Sequence, residues 1–221
     1  AHNHRYYVLA APIISDREFD FLMESLLVME SDYPEWADAN SPSQRVGGDL
    51  SDGFKKVSHR EPMLSLSNSY NAQDIADWAE RTHRLLEGDE VEWTMELKYD
   101  GVAISLTYED GKLKQALTRG DGTVGEDITA NVRTIRTVPL ILPDTVPDVF
   151  EIRGEIFFPW QAFERLNEKQ IALGKEQFAN PRNTAAGTLK SQDSKVAAQR
   201  GLDCLLYGVM QPKEFGSHFE A

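Results

Sequence analysis

The chain has 221 residues, 41% of them hydrophobic and 27% charged, which are the proportions of a soluble globular protein. Its 36 acidic residues outweigh 23 basic ones, and the formal net charge of −13 argues against this chain alone gripping nucleic acid, whose phosphates need a basic surface. No apolar run approaches the length of a membrane span and no signal peptide is visible, so no membrane partner is expected and the cytoplasm is the expected location.

The length fits one domain with an appendage, or two small ones. Through Asp52, three arginines stand against ten carboxylates, a net of −7, a surface that suits a cationic ligand but more commonly is merely solvated. Cys204 is the single cysteine, so an internal disulfide or a cysteine-rich zinc site is excluded. Within the apolar "DCLLYGVM" it reads as a small buried hydrophobe, not a nucleophile.

Ala1 already falls inside a helical pattern, so the chain is expected to be a fragment. Ser15 and Glu18 have capping-box spacing, and Phe19, Leu22, Met23, Leu26 and Leu27 recur at helical intervals until Pro34. "NSPSQRVGGDLSDGF", residues 40–54, is rich in turn formers and is the expected boundary between two units. Residues 71–88 predict a second helix, with Ile75, Trp78, Ala79 and Leu86 inward and Gly88 closing it. From Val91 the period drops to two: Val91, Trp93, Met95 and Leu97 alternate with Glu92, Thr94, Glu96 and Lys98, which predicts a strand with one core face and one polar face. Asp110-Gly111 centres a hairpin over residues 102–120. Residues 150–158 alternate again, with Phe150, Ile152, Gly154 and Ile156 opposite Glu151, Arg153 and Glu155, and residues 159–174 return to helix. Hairpins mixed with helices indicate an α+β fold, with largely antiparallel sheets and flanking helices.

Glu96 and Lys98 are two residues apart and share one face of the predicted strand, before Asp100-Gly101 turns the chain. This offers an amine nucleophile at the rim of a polar cleft, although Lys-x-Asp-Gly alone is a weak pattern and also fits an exposed strand end. "TRGDGTVGED", residues 118–127, is a glycine-rich loop led by Arg119 and suited to backbone and guanidinium contacts with phosphate. Glu155 stands on a polar strand face, where a carboxylate can accept ribose hydroxyls or simply face solvent.

Taken together, "ELKYDG", "TRGDGTVGEDIT", "EIRGEIF" and "FANPRNTAAGTLK" resemble, in order and spacing, the adenylation region of the bacterial NAD+-dependent DNA ligases. "EPMLSLSN" and "NSPSQRVGG" fit as well, and the resemblance spans essentially the whole chain. It implies a nucleotidyltransferase, or ATP-grasp-like ligase, fold in residues 53–221, incomplete at its C-terminal end. A small helical nicotinamide-mononucleotide-binding subdomain in residues 1–52 would precede it.

The resemblance further implies that Lys98 attacks the α-phosphate of NAD+, releases nicotinamide mononucleotide and carries AMP for transfer to nicked duplex DNA in the full-length enzyme. Flanking carboxylates favour an ammonium over the free amine that attack requires. Cationic groups must oppose them, and Arg119, other lysines and a phosphate-bound Mg2+ are the candidates. By similarity Ser65 and Leu66 contact adenine, Glu96 lies on the adenine side, and Asp100 with Gly101 lies in the ribose or metal region. Arg119 and Glu155 match the nucleotide-binding arginine and the ribose-binding glutamate. Tyr6, Tyr7, Asp16, Phe19 and Asp20 would form the nicotinamide-mononucleotide pocket, where a cationic ring meets aromatic faces and carboxylates.

Tyr7 stands where the family often has histidine, and Phe19 where tyrosine is frequent. The family's later lysine motifs, barrel, zinc module and helix-hairpin-helix region are not found, so the fragment, expected to be monomeric, is not expected to seal DNA. Closure on NAD+ about residues 40–54 is expected if the pocket is split between the two units. The alternatives are an ATP-dependent ligase or capping-type enzyme, which needs no aromatic-aspartate pocket, and a non-catalytic module that kept the fold.

Overall fold

The computed structural model describes residues 13–14, 16–36, 38, 41–45, 53–86, 91–143 and 145–210, so Tyr6, Tyr7, Ser15, Gly88 and residues 46–52 of the expected boundary lie outside the described residues. In chain order the elements are α1 (Asp16–Asp32), short 3-10 turns at Pro34–Trp36 and Pro42–Arg45, β1 (Lys56–Ser58) and α2 (Ala72–Leu85). Then come β2 (Val102–Glu109), β3 (Lys112–Thr118), β4 (Val124–Glu126), α3 (Thr129–Val132) and β5 (Val149–Phe157). The series ends with α4 (Trp160–Ala172), α5 (Pro181–Leu189), α6 (Ser194–Arg200) and β6 (Asp203–Val209).

Turn chemistry explains the central sheet. Asp110 and Gly111 take φ of 49° and 69°, the paired positive values of a turn whose twist matches that of the strands, so β2 folds directly back on β3. β5 pairs antiparallel with the other side of β2, from Val102 opposite Ile156 to Glu109 opposite Val149, and β6 pairs with β5. The order is β3-β2-β5-β6, with a separate two-stranded sheet of β1 and β4. The α+β reading with antiparallel sheets and flanking helices therefore holds.

Opposite residues on antiparallel strands share a face. Ile104, Leu106 and Tyr108 of β2 are fully buried beside Phe150 and Ile156 of β5. The same core takes in Phe163 of α4, Ala185 and Leu189 of α5, and Ile128, Val132, Ile135 and Val138 from the segment after β4. The Tyr108 hydroxyl donates to the Pro139 carbonyl at 2.9 Å, so burying it leaves no unpaired donor.

Two expectations fail for one reason, the lack of a partner surface. Residues 91–100 form no strand, and the intended core face is open: Met95 is 99% exposed and Leu97 80%. Alternation makes a segment able to join a sheet, but a ladder needs a neighbour. α2 forms as expected, with Asn71 capping it by accepting from the Asp74 amide at 2.9 Å. Its apolar face is not inward, however, for no residue of the helix is buried. Trp78 packs against Trp93 in the segment that follows, ring centroids 4.5 Å apart.

Ile104, fully buried between β5 and the covering helices, provides a direct test of this core. Ile104→Ala is expected to cost about 2–5 kcal/mol by removing buried methyl groups and leaving a cavity, as read by urea denaturation with the slope unchanged.

Candidate functional site

The face of the sheet opposite the core carries the chemistry. There Ala103, Ser105 and Thr107 of β2 stand opposite Glu155, Arg153 and Glu151 of β5. Glu151, the expected surface-facing neighbour, is 3% exposed. Its Oε1 accepts from the Ser105 hydroxyl at 2.7 Å and lies 3.9 Å from Nη2 of Arg153. Glu155 accepts from the Gly101 amide at 3.0 Å. A Cβ at Gly101 would collide with the Ile156 carbonyl, so glycine is required for β2 to begin this close to β5.

This face opens on a cleft of about 950 Å³, at the upper end of the sizes usual for small-molecule sites. Ser65 and Leu66 line it together with Glu96, Lys98, Gly101, Arg119 and Glu155, so seven of the expected site residues meet around one space. Lys98, on the exposed segment 91–100 instead of the predicted strand, forms no ion pair with any described residue. Asp100 is engaged elsewhere, by Arg182 at 3.1 Å. Asp16, Phe19 and Asp20 fall in the first turns of α1, at helical spacing, and their side chains lie outside the described residues.

The glycine-rich loop corrects one expectation. Its backbone amides are already used: Gly122 donates to the Arg119 carbonyl at 3.0 Å, and Thr123 and Val124 both donate to Oδ1 of Asp121 at 2.8 Å. These bonds, the Val124 amide foremost, hold the Asp121 carboxyl down to about 2. A loop that spends its amides on its own carboxylate is a poor phosphate cradle. Its contribution to the cleft is Arg119, whose Nη1 reaches Oγ of Ser65 at 3.4 Å, and a tight turn at Gly120, where φ is 57° and a Cβ would strike the Val124 carbonyl.

Among the lining residues not singled out from sequence are Arg153, Arg182, Lys190 and Tyr207. Arg182 and Lys190 lie in "FANPRNTAAGTLK", to which no single roles were given, and Lys190 pairs with Glu126 at 2.6 Å. Asn180 accepts from the Asn183 amide at 3.0 Å and so starts α5, while Asn131 donates to the carbonyls of Leu189 and Ser191 at 2.6 and 2.8 Å and fixes its end. Tyr207 comes from β6, for which the sequence carried no strand signal beyond its apolar run. In the same strand, burial above all pushes the Cys204 thiol up to about 12, in keeping with an inert, half-buried residue packed against the core.

Burial raises the Glu155 carboxyl above its ordinary 4.5, against the opposing pull of the Gly101 amide and then of Lys98 and Arg182. Burial likewise raises the Tyr207 phenol, with Glu155 the next cause. A partly desolvated carboxylate, an amine with no salt-bridge partner among the described residues and several guanidinium groups around one cleft can together accept ribose hydroxyls and balance phosphate charge.

Residues 51–221 match the family model described as the NAD-dependent DNA ligase adenylation domain, and residues 1–47 match the DNA ligase-like, N-terminal NAD+-binding domain. The chain is 54% identical over 207 residues to a DNA ligase of Bacteroides fragilis, covering 93% of this chain and 31% of that protein. It is 50% identical over 223 residues to a DNA ligase of Desulforudis audaxviator (100% and 33% covered), and 50% identical over 215 residues to one of Listeria monocytogenes (97% and 32%). The chain thus spans about a third of the length of these curated relatives.

The raised Glu155 carboxyl has a consequence for stability. Its folded-state value lies above the unfolded one, so its contribution is present below the unfolded value and is lost as pH rises through the folded one. Glu155→Gln, which keeps an acceptor for the Gly101 amide, should therefore gain stability relative to the unaltered chain as pH rises from the ordinary glutamate range, about 4, through the raised folded-state value. Urea unfolding of both proteins across that range reads the difference; a gap that stays constant would contradict it.

Proposed function

The chain belongs to the NAD-dependent DNA ligase family, and on that premise we propose that Lys98 is the nucleophile that takes AMP from NAD+. The observation that carries this reading is an amine with no ion-pair partner among the described residues, on the wall of a cleft shared with Ser65, Leu66, Arg119 and Glu155. The Lys98 ammonium loses a proton to solvent, its free Nζ attacks the α-phosphorus, and the nitrogen sheds a second proton to solvent once bonded. An N–P bond forms, the bond from phosphorus to the bridging oxygen breaks, and nicotinamide mononucleotide leaves. AMP remains on the lysine for transfer to the 5′-phosphate of nicked duplex DNA by the longer enzyme.

The residues divide this work by chemistry. Ser65 offers a polar contact and Leu66 an apolar one to adenine, with Glu96 on the same side. Glu155 accepts ribose hydroxyls. Arg119 and Arg182 balance charge that develops on the phosphate oxygens. Tyr6, Tyr7, Asp16, Phe19 and Asp20 receive the nicotinamide mononucleotide, through aromatic faces and carboxylates suited to a cationic ring. On this reading residues 1–52 form that subdomain, and residues 53–221 the nucleotidyltransferase domain.

Among the described residues no group of three or more His, Cys, Asp or Glu could hold a metal ion by itself. A Mg2+ carried mainly on the nucleotide's phosphates would need only one or two carboxylates, and by the family resemblance Asp100, here paired with Arg182, would lie in the ribose or metal region. Such an ion supplies charge neutralisation at the phosphates. No described helix is long and apolar enough to cross a membrane, and the proposal places a monomeric chain in the cytoplasm with its DNA substrate. Because the chain covers about a third of its relatives, nick sealing is assigned to the longer enzyme, and closure of nicked duplex by this chain alone would contradict that.

Mass spectrometry after exposure to NAD+, and separately to ATP, tests the central step. A gain of one AMP from NAD+ but not from ATP is expected, mapped to Lys98 and lost in Lys98→Ala. Labelling that survives the substitution would refute the assignment, and labelling from ATP would favour the ATP-dependent class.

A further inference from the structure

Glu151, Arg153 and Glu155 share one face of β5, and two of them are bound within the sheet region: Glu155 to the Gly101 amide, Glu151 to the Ser105 hydroxyl. Arg153 lies between them and reaches outward. Its Nη2 donates to the Glu61 carbonyl at 2.7 Å and its Nη1 to the Pro62 carbonyl at 3.0 Å. These acceptors precede Ser65 and Leu66 by a few residues, in a stretch without helix or strand between Ser58 and Ala72.

Two further backbone holds on that stretch end at Met63. The His59 amide donates to the Thr123 carbonyl at 2.9 Å, and the Met63 amide to the Gly122 carbonyl at 2.8 Å, with the Met63 side chain buried. Past Met63 the chain has no strand partner among the described residues, and Leu64 and Leu66 are 83% and 82% exposed. Nη1 of Arg119 reaches Oγ of Ser65 only at a long 3.4 Å, so the backbone course of Ser65 and Leu66 is set chiefly by how residues 61–63 are held. A guanidinium suits that task, because its planar fork can bond two successive carbonyls while facing a carboxylate; an ammonium has no such fork.

We infer that Arg153 is a positioning residue: by holding the Glu61 and Pro62 carbonyls, it sets the line along which Ser65 and Leu66 enter the cleft and so governs recognition of the adenine base. This rests on the reading of the cleft as a nucleotide site. The chain of contacts runs from Ser105 through Glu151 and Arg153 to the backbone of the segment, without Arg153 itself having to touch the base.

Calorimetric titration of the chain with AMP and with inosine monophosphate, whose ring differs at the adenine edge, tests this. The unaltered chain should prefer AMP. Arg153→Met should weaken AMP binding by about tenfold or more and bring the AMP-to-inosine ratio toward one. Adding Ser65→Ala to it should cost little more, since both changes remove the same contact. Arg153→Lys keeps the charge beside Glu151 but not the double hold. It should give an intermediate ratio, and it carries the test if Arg153→Met does not fold. Equal weakening of both nucleotides with the ratio preserved, unchanged AMP affinity, or a full rescue by lysine would overturn the inference. If the unaltered chain binds neither AMP nor NAD+, the nucleotide reading fails and this inference falls with it, whereas a failure confined to the variants leaves that reading standing.

Discussion

Because β2 and β5 pair antiparallel over eight residue pairs, from Val102–Ile156 to Glu109–Val149, each side chain on one strand commits its opposite number to the same face. Ile104, Leu106 and Tyr108 join Phe150 and Ile156 in the core, and Ser105 and Thr107 meet Arg153 and Glu151 beneath the cleft. A slip of one residue would exchange these sets, driving charge into the core and leucine into the site. The glycine at position 101 guards the same register, since it alone lets the chain enter β2 against the Ile156 carbonyl. Core stability and site geometry are thus two consequences of one pairing.

The electrostatics of the cleft follow from what each charged group already holds. Asp100 is occupied by Arg182, and Glu155 by the Gly101 amide, which leaves Lys98 beside carboxylates whose charge is partly spoken for. The Asp100–Arg182 pair is well exposed, so its value is orientation more than stability. Glu151 and Arg153 differ, because both are largely buried and neither could be removed without stranding the other. Arg153 also keeps a buried Nε with no hydrogen-bond partner among the described residues, a cost consistent with a side chain held for position. In a chain of net charge −13, Arg119, Arg153, Arg182 and Lys190 gather around one cavity. That local excess, not the overall charge, is what a nucleotide's phosphates would meet.

The elements most legible in the sequence were those whose signal is local. The Asp110-Gly111 hairpin, the helix begun by Asn71 and the alternation of β5 appear where their turn, cap and period predict. The segment 91–100 was misread because period two reports only the capacity to pair, and no neighbouring strand meets it among the described residues. β6 was missed because an apolar run does not say which strand it will join, so Tyr207 could not be placed at the cleft. The glycine loop was misjudged because a glycine-rich stretch suggests free amides, whereas the Asp121 carboxylate captures those of Thr123 and Val124 and the Arg119 carbonyl that of Gly122.

By itself the sequence determined which residue types stand at which spacing: a lysine between carboxylates, an arginine before glycines, a charged face along one strand, and the order of motifs that marks the family. It could do so because these are short-range properties of covalent order and side-chain period. Only the tertiary structure decided that Ser65, Lys98, Arg119 and Glu155, far apart in the chain, border one cleft, that Arg153 joins them, and that Glu151 is buried beside it. Those outcomes depend on strand pairing and on desolvation by distant segments, and neither is encoded in any local stretch of residues.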